Sequence, residues 1–429
     1  MPSTLWDFAA VPQLPLPSPT RWWDTLTAAD RALFQQAVDA VENPAAPPGP
    51  EPFASLFRLL HSRPQSSATQ AHYAQFFTPA DVALYAAYTL LEGYEGEPVF
   101  DPCMGHGGLL IAAAIVLFVR YKLRGVSLLD RLHGSEIDPA TAKHGLHNLA
   151  NALALLCPEW SAPAILQRLR PHITITDFHA VPPTSFQGHR LIANPPYRES
   201  SQGNTWIPLV LHMLQASLTG LSMIVPVAVT SSRRAQAVRT QLWERFGRIQ
   251  ALHHEIRPRP LFPRVEQRIS IITAHLSDVP LYVTTGFLRH RTRERLAVWQ
   301  ASMTSLPQEL CLDQLPKVAP DDLGFYTSCI HRVHRVSVAE YRAAHPVNQT
   351  GVPLWIRSTG RYHLSAQLTP PAALTTKWHR IVVPSPLAAP LLTAFASGDV
   401  LRWWQIFGDG RDLSLQTLLQ RYGIPLPAS

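Results

Sequence analysis

With 429 residues, 46% of them hydrophobic, the chain has enough length and apolar content for two folded units. No window approaches the roughly 18 consecutive apolar residues of a membrane span, and Met1–Gln13, with Asp7 inside it, lacks the basic-then-apolar order of a secretory leader. Lys plus Arg is 37 against 30 Asp plus Glu, so the net charge of +7 favours a polyanionic partner over a basic one.

The four cysteines, Cys103, Cys157, Cys311 and Cys329, form neither a CxxC pair nor a ladder. They suit a reduced cytoplasm and give no zinc site. We therefore expect a cytoplasmic protein with no metal and no membrane association.

In chain order, a helical segment is expected over about Ala28–Val41, followed by the Pro-rich linker Asn43–Pro52. Short apolar runs then alternate with amphipathic stretches. Strands are expected at Pro98–Asp101, Leu132–Ile137, His172–Thr176, Arg190–Ala193, Leu221–Pro226 and Ile269–Thr273. Helices are expected from Ala80, over Gly107–Leu123 and Pro139–Leu155, and ending over Leu211–Ser217. Strand and helix in alternation predict an α/β fold with a doubly wound, mostly parallel sheet. Beyond about residue 285 the pattern becomes short, Pro-rich and aromatic. The expected organisation is an N-terminal helical segment and linker over 1–69, the α/β domain over 70–284, and a less regular domain over 285–429.

In such sheets ligands sit beyond the carboxyl ends of the strands, so the residues that follow each strand matter most. After the first strand comes Asp101-Pro102-Cys103-Met104-Gly105-His106-Gly107, which opens a helix. Its glycines allow close backbone approach, and the helix N-terminus favours a carboxylate. The second strand ends in Glu136-Ile137-Asp138, where a carboxylate can accept from two ribose hydroxyls. The third ends in Asp177-Phe178, an acid for an adenine amino group beside a ring for its face. The fourth runs into Asn194-Pro195-Pro196-Tyr197.

Two successive prolines remove two amide donors, so this turn offers carbonyl oxygens beside the Asn194 side chain. Two acceptors that hold both hydrogens of a planar amine would free its lone pair, and Tyr197 offers a face for an extruded base. A plain Pro-rich turn is the competing reading. The four strand ends taken in order argue against it.

This constellation resembles the gamma class of DNA adenine-N6 methyltransferases, which includes type I modification subunits and many type II methylases. The class has a Phe-Thr-Pro element upstream of the glycine loop, matched here by Phe77-Thr78-Pro79. The resemblance covers roughly residues 70–280. It implies a Rossmann-like methyltransferase sheet, S-adenosylmethionine as cofactor, double-stranded DNA as substrate and a target-recognition domain over 285–429. It implies further that Phe77, Thr78 and Pro79 meet the methionine part of the cofactor, and that Asp101, Pro102, Gly105 and Gly107 form its loop. Glu136 and Ile137 would hold the ribose end, and Asp177 with Phe178 the cofactor adenine. Asn194 and the Pro195 carbonyl, in the turn completed by Pro196, would bind the target amine, with Tyr197 stacked on the base.

Phe262 is the candidate for a second ring on the flipped base, with a core phenylalanine as its alternative. Arg257, Arg259, Arg264, Arg268, Arg289 and Arg291 stand either along a phosphate path or on a solvated face. The resemblance also implies a bacterial, phage or plasmid-encoded modification system, with a restriction or specificity subunit as a possible partner. Two alternatives stay open: a methyltransferase acting on protein glutamine or RNA amino groups, and a silent DNA-binding scaffold.

Overall fold

The computed structural model describes residues 78–157, 159–197, 199–200, 203–258, 260–262, 267–289, 302–312, 314–330, 335–336, 350–358, 363–373, 375, 378–408, 418 and 423–425. The expected N-terminal helix and linker lie outside these residues, as does Phe77.

The described chain opens on helix α1 (Ala80–Leu90) and strand β1 (Val99–Asp101). Helix α2 (Gly108–Arg120) begins where Gly107 turns left-handed at φ 82°. Ten of its residues are buried, Leu109 to Leu117 and Val119, because it is apolar on every side. Short α3 (Gly125–Leu129) leads to β2 (Leu132–Glu136). Helix α4 (Pro139–Leu156) has proline at its first position and Asp138 as cap, the Asp138 side chain accepting from the Thr141 amide at 2.8 Å. Next come α5 (Ala162–Leu169), β3 (Ile173–Ile175) and β4 (Arg190–Ala193). A small hairpin, β5 (Glu199–Ser200) and β6 (Gly203–Asn204), precedes α6 (Trp206–Met213), β7 (Gly220–Pro226) and α7 (Gln236–Arg245).

Four more strands complete the sheet: β8 (Arg248–His254), β9 (Ile269–His275), β10 (Leu281–Leu288) and β11 (Met303–Pro307). Its order is β11-β10-β8-β9-β7-β4-β1-β2-β3. The run from β3 to β7 is parallel, β9 is inserted antiparallel between β7 and β8, β10 is parallel to β8, and β11 closes the edge antiparallel.

Helices cover both faces. One core joins α1, α2 and α4 with Val99, Leu132, Ile192 and Ile224. The other joins α6 and α7 with Phe100, Leu191, Met223 and Val225. The doubly wound sheet is therefore present, and larger than expected: β8, β10 and β11 extend it beyond Ile269–Thr273. The expected boundary at 284/285 falls inside β10.

The remainder comprises α8 (Leu323–Ile330), the pair of β12 (Arg335–Val336) and β16 (Ile424–Pro425), and a three-stranded sheet with helices α9 (Ser385–Ala396) and α10 (Asp399–Phe407). That sheet is ordered β14-β13-β15, from β13 (Gly351–Ser358), β14 (Leu364–Gln367) and β15 (Trp378–Pro384). Leu354, Ile356, Trp403 and Phe407 share one continuous core with the α6–α7 face.

Candidate functional site

The strand order reverses beside β1: β2 and β3 lie on one side of it, β4 and β7 on the other. The carboxyl ends of β1 and β4 flank this switch point, where a doubly wound sheet opens a crevice. Asp101 ends one strand, and Asn194 follows the other.

On the β1 side, Gly105 and Gly107 both take positive φ, 51° and 82°. A side chain at Gly107 would meet the Gly145 carbonyl at 3.0 Å. The contact is reciprocal, since a Cβ on Gly145 would lie 2.4 Å from the Gly105 carbonyl oxygen. Gly145, in the middle of α4, thus lets the loop sit flat against the helix. Sequence reading missed it. Its signal was a glycine inside a long helix, where glycine costs roughly 1 kcal/mol against alanine.

Asp101 is buried. Its Oδ1 accepts from the Cys103 amide at 3.1 Å, whereas its Oδ2 is buried with no hydrogen-bond partner among the described residues. Burial pushes its carboxyl up to about 8; the Cys103 amide opposes this, and the charge of Glu136 adds to it. Glu136 bridges the loop to β2: its Oε2 accepts from the Gly105 amide at 2.9 Å, and its Oε1 from the amides of Ile137 and Asp138 at 3.0 and 3.1 Å. Burial raises its carboxyl too, against those three donors. Ile137, directly after it, is 51% exposed, an apolar side chain set at the rim instead of in the core. Burial also raises the Cys103 thiol well above its usual range, the reverse of an activated nucleophile.

The third strand end divides. Asp177 is exposed and accepts from the His179 amide at 3.0 Å. Phe178, expected against a cofactor base, lies in the core, its ring 5.2 Å from Phe186 and 5.1 Å from His212.

On the β4 side, Asn194 is half-buried and Pro195 buried. Asn194 Nδ2 donates to Thr78 Oγ1 at 3.0 Å, which joins the Thr-Pro element to the turn across 116 residues. The Tyr197 hydroxyl reaches Asn194 Oδ1 at 2.5 Å and the Ile224 carbonyl at 2.8 Å. Thr205 donates to the Pro196 carbonyl at 2.6 Å. Burial raises the Tyr197 phenol well above its usual value, and its ring belongs to the same core as Phe262. Phe262 is 2% exposed and leaves no ring face open to solvent, which is the packing of a core phenylalanine.

The arginines separate by environment. Arg268 is not on a phosphate path: it is buried in a two-pronged ion pair, Nε to Glu255 Oε1 at 2.8 Å and Nη2 to Oε2 at 2.5 Å, and stacks 4.3 Å from the Phe287 centroid. Arg257 and Arg289 are exposed. Arg259, Arg264 and Arg291 lie outside the described residues. Among the described residues no His, Cys, Asp and Glu group could hold a metal, and no helix is long and apolar enough to cross a membrane.

Residues 63–206, which span both sides of this crevice, match the family described as N-6 DNA Methylase. That stretch is similar to the N-6 DNA methylases. No curated protein matches it.

Similar solved structures include a nuclease-deletion mutant of the type ISP restriction-modification enzyme LlaGI with a DNA substrate mimic. The identity there is 11%, over 68% of this chain and 34% of that one, with a TM-score of 0.43. They also include the type I methyltransferase subunit from Streptococcus thermophilus, at 16% identity, 49% and 47% coverage and TM-score 0.36. The EcoKI M protein aligns at 13% identity, 71% and 89% coverage and TM-score 0.39. The chain spans only 34% of LlaGI and 27% of the type ISP enzyme LlaBIII.

Proposed function

We propose that this protein transfers a methyl group from S-adenosylmethionine to the N6 amino group of adenine in double-stranded DNA. The observation that carries the reading is the Asn194–Tyr197 turn, set at the switch point of the sheet and tied to Thr78. A donor-poor turn at that place offers Asn194 Oδ1 and the Pro195 carbonyl to one planar amine.

The β1 side fits the cofactor. A buried carboxylate oxygen without a partner suits a cationic ligand, two left-handed glycines give backbone room, and the uncapped start of α2 suits a carboxylate. Thr78, Pro79, Asp101, Pro102, Gly105, Gly107, Glu136, Ile137 and Asp177 would hold it, and Phe77 belongs to the same sequence element. When bound, S-adenosylmethionine supplies an electrophilic methyl group. The protein's own work is orientation and the acceptor pair. A base inside a duplex cannot reach this crevice, so it must flip out, with Tyr197 and Phe262 as the rings available to receive it. Both rings are buried, so their engagement requires local rearrangement around the turn.

Exposed Arg257 and Arg289 are the described candidates for DNA phosphates. A cytoplasmic role in a restriction-modification system, with a separate restriction or specificity subunit, follows from the same reading. Asn194→Ala tests it: methyl incorporation into DNA should fall by about a hundred- to a thousandfold, while cofactor binding is retained. Transfer at the wild-type rate would remove Asn194 from the chemistry.

A further inference from the structure

Between Glu340 and Asp399 the sequence contains no acidic residue, yet Arg342, Arg357, Arg361, Lys377 and Arg380 fall within that stretch. The three-stranded sheet β13–β15 lies inside it. Its inner face carries Leu354, Ile356 and Val383, all fully buried against the core that includes α9. Strand alternation therefore sends Trp355 and Arg357 outward from β13, and Trp378 and Arg380 outward from β15.

The antiparallel register sets Trp355 opposite Arg380 and Arg357 opposite Trp378. Each guanidinium carbon lies 6.0 Å from the centroid of the indole opposite. Both arginines are exposed and both tryptophans half-buried. Among the described residues no carboxylate pairs with either arginine.

We infer that this outer sheet face docks on the backbone of duplex DNA, with Arg357 and Arg380 each taking a phosphate. An indole within cation–π range attracts the guanidinium opposite and restricts its freedom, so less freedom is lost when an anion arrives. The two arginines occupy diagonal positions of the ladder, roughly 7–8 Å apart, a separation that suits neighbouring phosphates of one strand. The absence of acids from the surrounding sequence leaves the positive field uncancelled, which distinguishes a docking face from an ordinary mixed-charge surface. The inference rests on the proposed DNA substrate, and it assigns part of the chain outside the methylase match.

The test uses the full chain and a labelled duplex of about 30 base pairs, with binding followed by fluorescence anisotropy across a salt series. For the double variant Arg357→Ala/Arg380→Ala, the slope of log affinity against log salt should fall in magnitude by about two, and for each single variant by about one. Trp355→Phe/Trp378→Phe should keep the slope, because a ring still lies opposite each guanidinium. Cofactor binding, measured on every variant, reports folding; should the double variant not fold, the single variants decide. An unchanged slope in folded variants overturns the docking face, even where wild-type binding and the loss of methylation in Asn194→Ala leave the proposed function intact. A wild-type chain that binds no duplex overturns both. If polyglutamate displaces the duplex as well as unlabelled DNA does, the face takes acidic protein, and the DNA assignment falls.

Discussion

The two halves of the sheet's carboxyl edge treat buried polar groups in opposite ways. At the ends of β1 and β2 the carboxyl groups are only partly satisfied among the described residues. Among the described residues Asp101 Oδ2 is buried without a partner and Glu136 accepts only from backbone amides, while Ile137 beside them stands half in solvent. At the ends of β8, β9 and β10 several polar side chains satisfy one another. His253 contacts Ser270 and Thr284 at 2.9 and 3.1 Å, Arg268 grips Glu255, and buried Lys317 donates to Thr230 at 3.2 Å. Burial, with Lys317 nearby, holds the His253 imidazole well below its usual pKa, so it serves here as a neutral bridge between strands. A half-satisfied pocket marks the place for a ligand, whereas a closed network marks structure. The Lys317 backbone amide also donates to the Ile406 carbonyl at 2.8 Å, so the closed network is where the C-terminal region is fastened to the sheet.

Breaking the closed half should cost most. Arg268→Ala would remove the two-pronged cationic partner of buried Glu255, and stability should fall by about 3–5 kcal/mol, read as the midpoint of chemical unfolding. Cofactor affinity measured below that midpoint should stay near wild type, because the pair lies away from β1 and β2. A loss of cofactor binding without loss of stability would dissolve the contrast between the halves.

The open half is sharpened by Gly145→Ala. The new methyl would press on the Gly105 carbonyl and Met104 Cε, built at 2.4 and 2.9 Å from it. Helix propensity gains slightly, but overpacking of about 1–3 kcal/mol outweighs it. The glycine loop should shift, and cofactor affinity should drop about tenfold or more, as measured by calorimetry. Unchanged affinity would show that the loop does not need its contact with α4.

How far the sequence carried follows the same division. Strands β1 to β4 were legible because parallel strands beneath crossover helices read as apolar runs followed by small and acidic residues at their ends. Strands β8 and β10 were not. Gln250, His253, Thr284 and Thr285 interrupt the apolar pattern, and only the folded network shows that these polar groups find partners inside. Arg268 looked like surface charge for the same reason. The Asn-Pro-Pro-Tyr turn and the Thr-Pro element were visible one by one, but the bond from Asn194 to Thr78 needed the strand order. For Phe178 and Phe262, residue type was readable and orientation was not. A ring beside a strand end packs inward or outward according to neighbours distant in sequence.

The finest test of the open half is the protonation of Asp101. Its folded value of about 8 lies above the ordinary 3.8, so the folded protein keeps a proton that the unfolded chain gives up. Unfolding then releases that proton between roughly pH 4 and 8. Stability should decline as pH rises through that window, by at most about 1.4 kcal/mol per pH unit, and level off above it. Asp101→Asn should flatten this part of the profile. If the carboxylate faces a cationic ligand, saturating S-adenosylmethionine should lower the pKa and flatten the profile as well, with release of close to one proton on binding near neutral pH. S-adenosylhomocysteine, whose sulfur is neutral, should do so less. Equal proton release by the two ligands would mean that Asp101 answers to some other part of the molecule, such as the shared amino group, and that the buried oxygen is not aimed at the reacting centre.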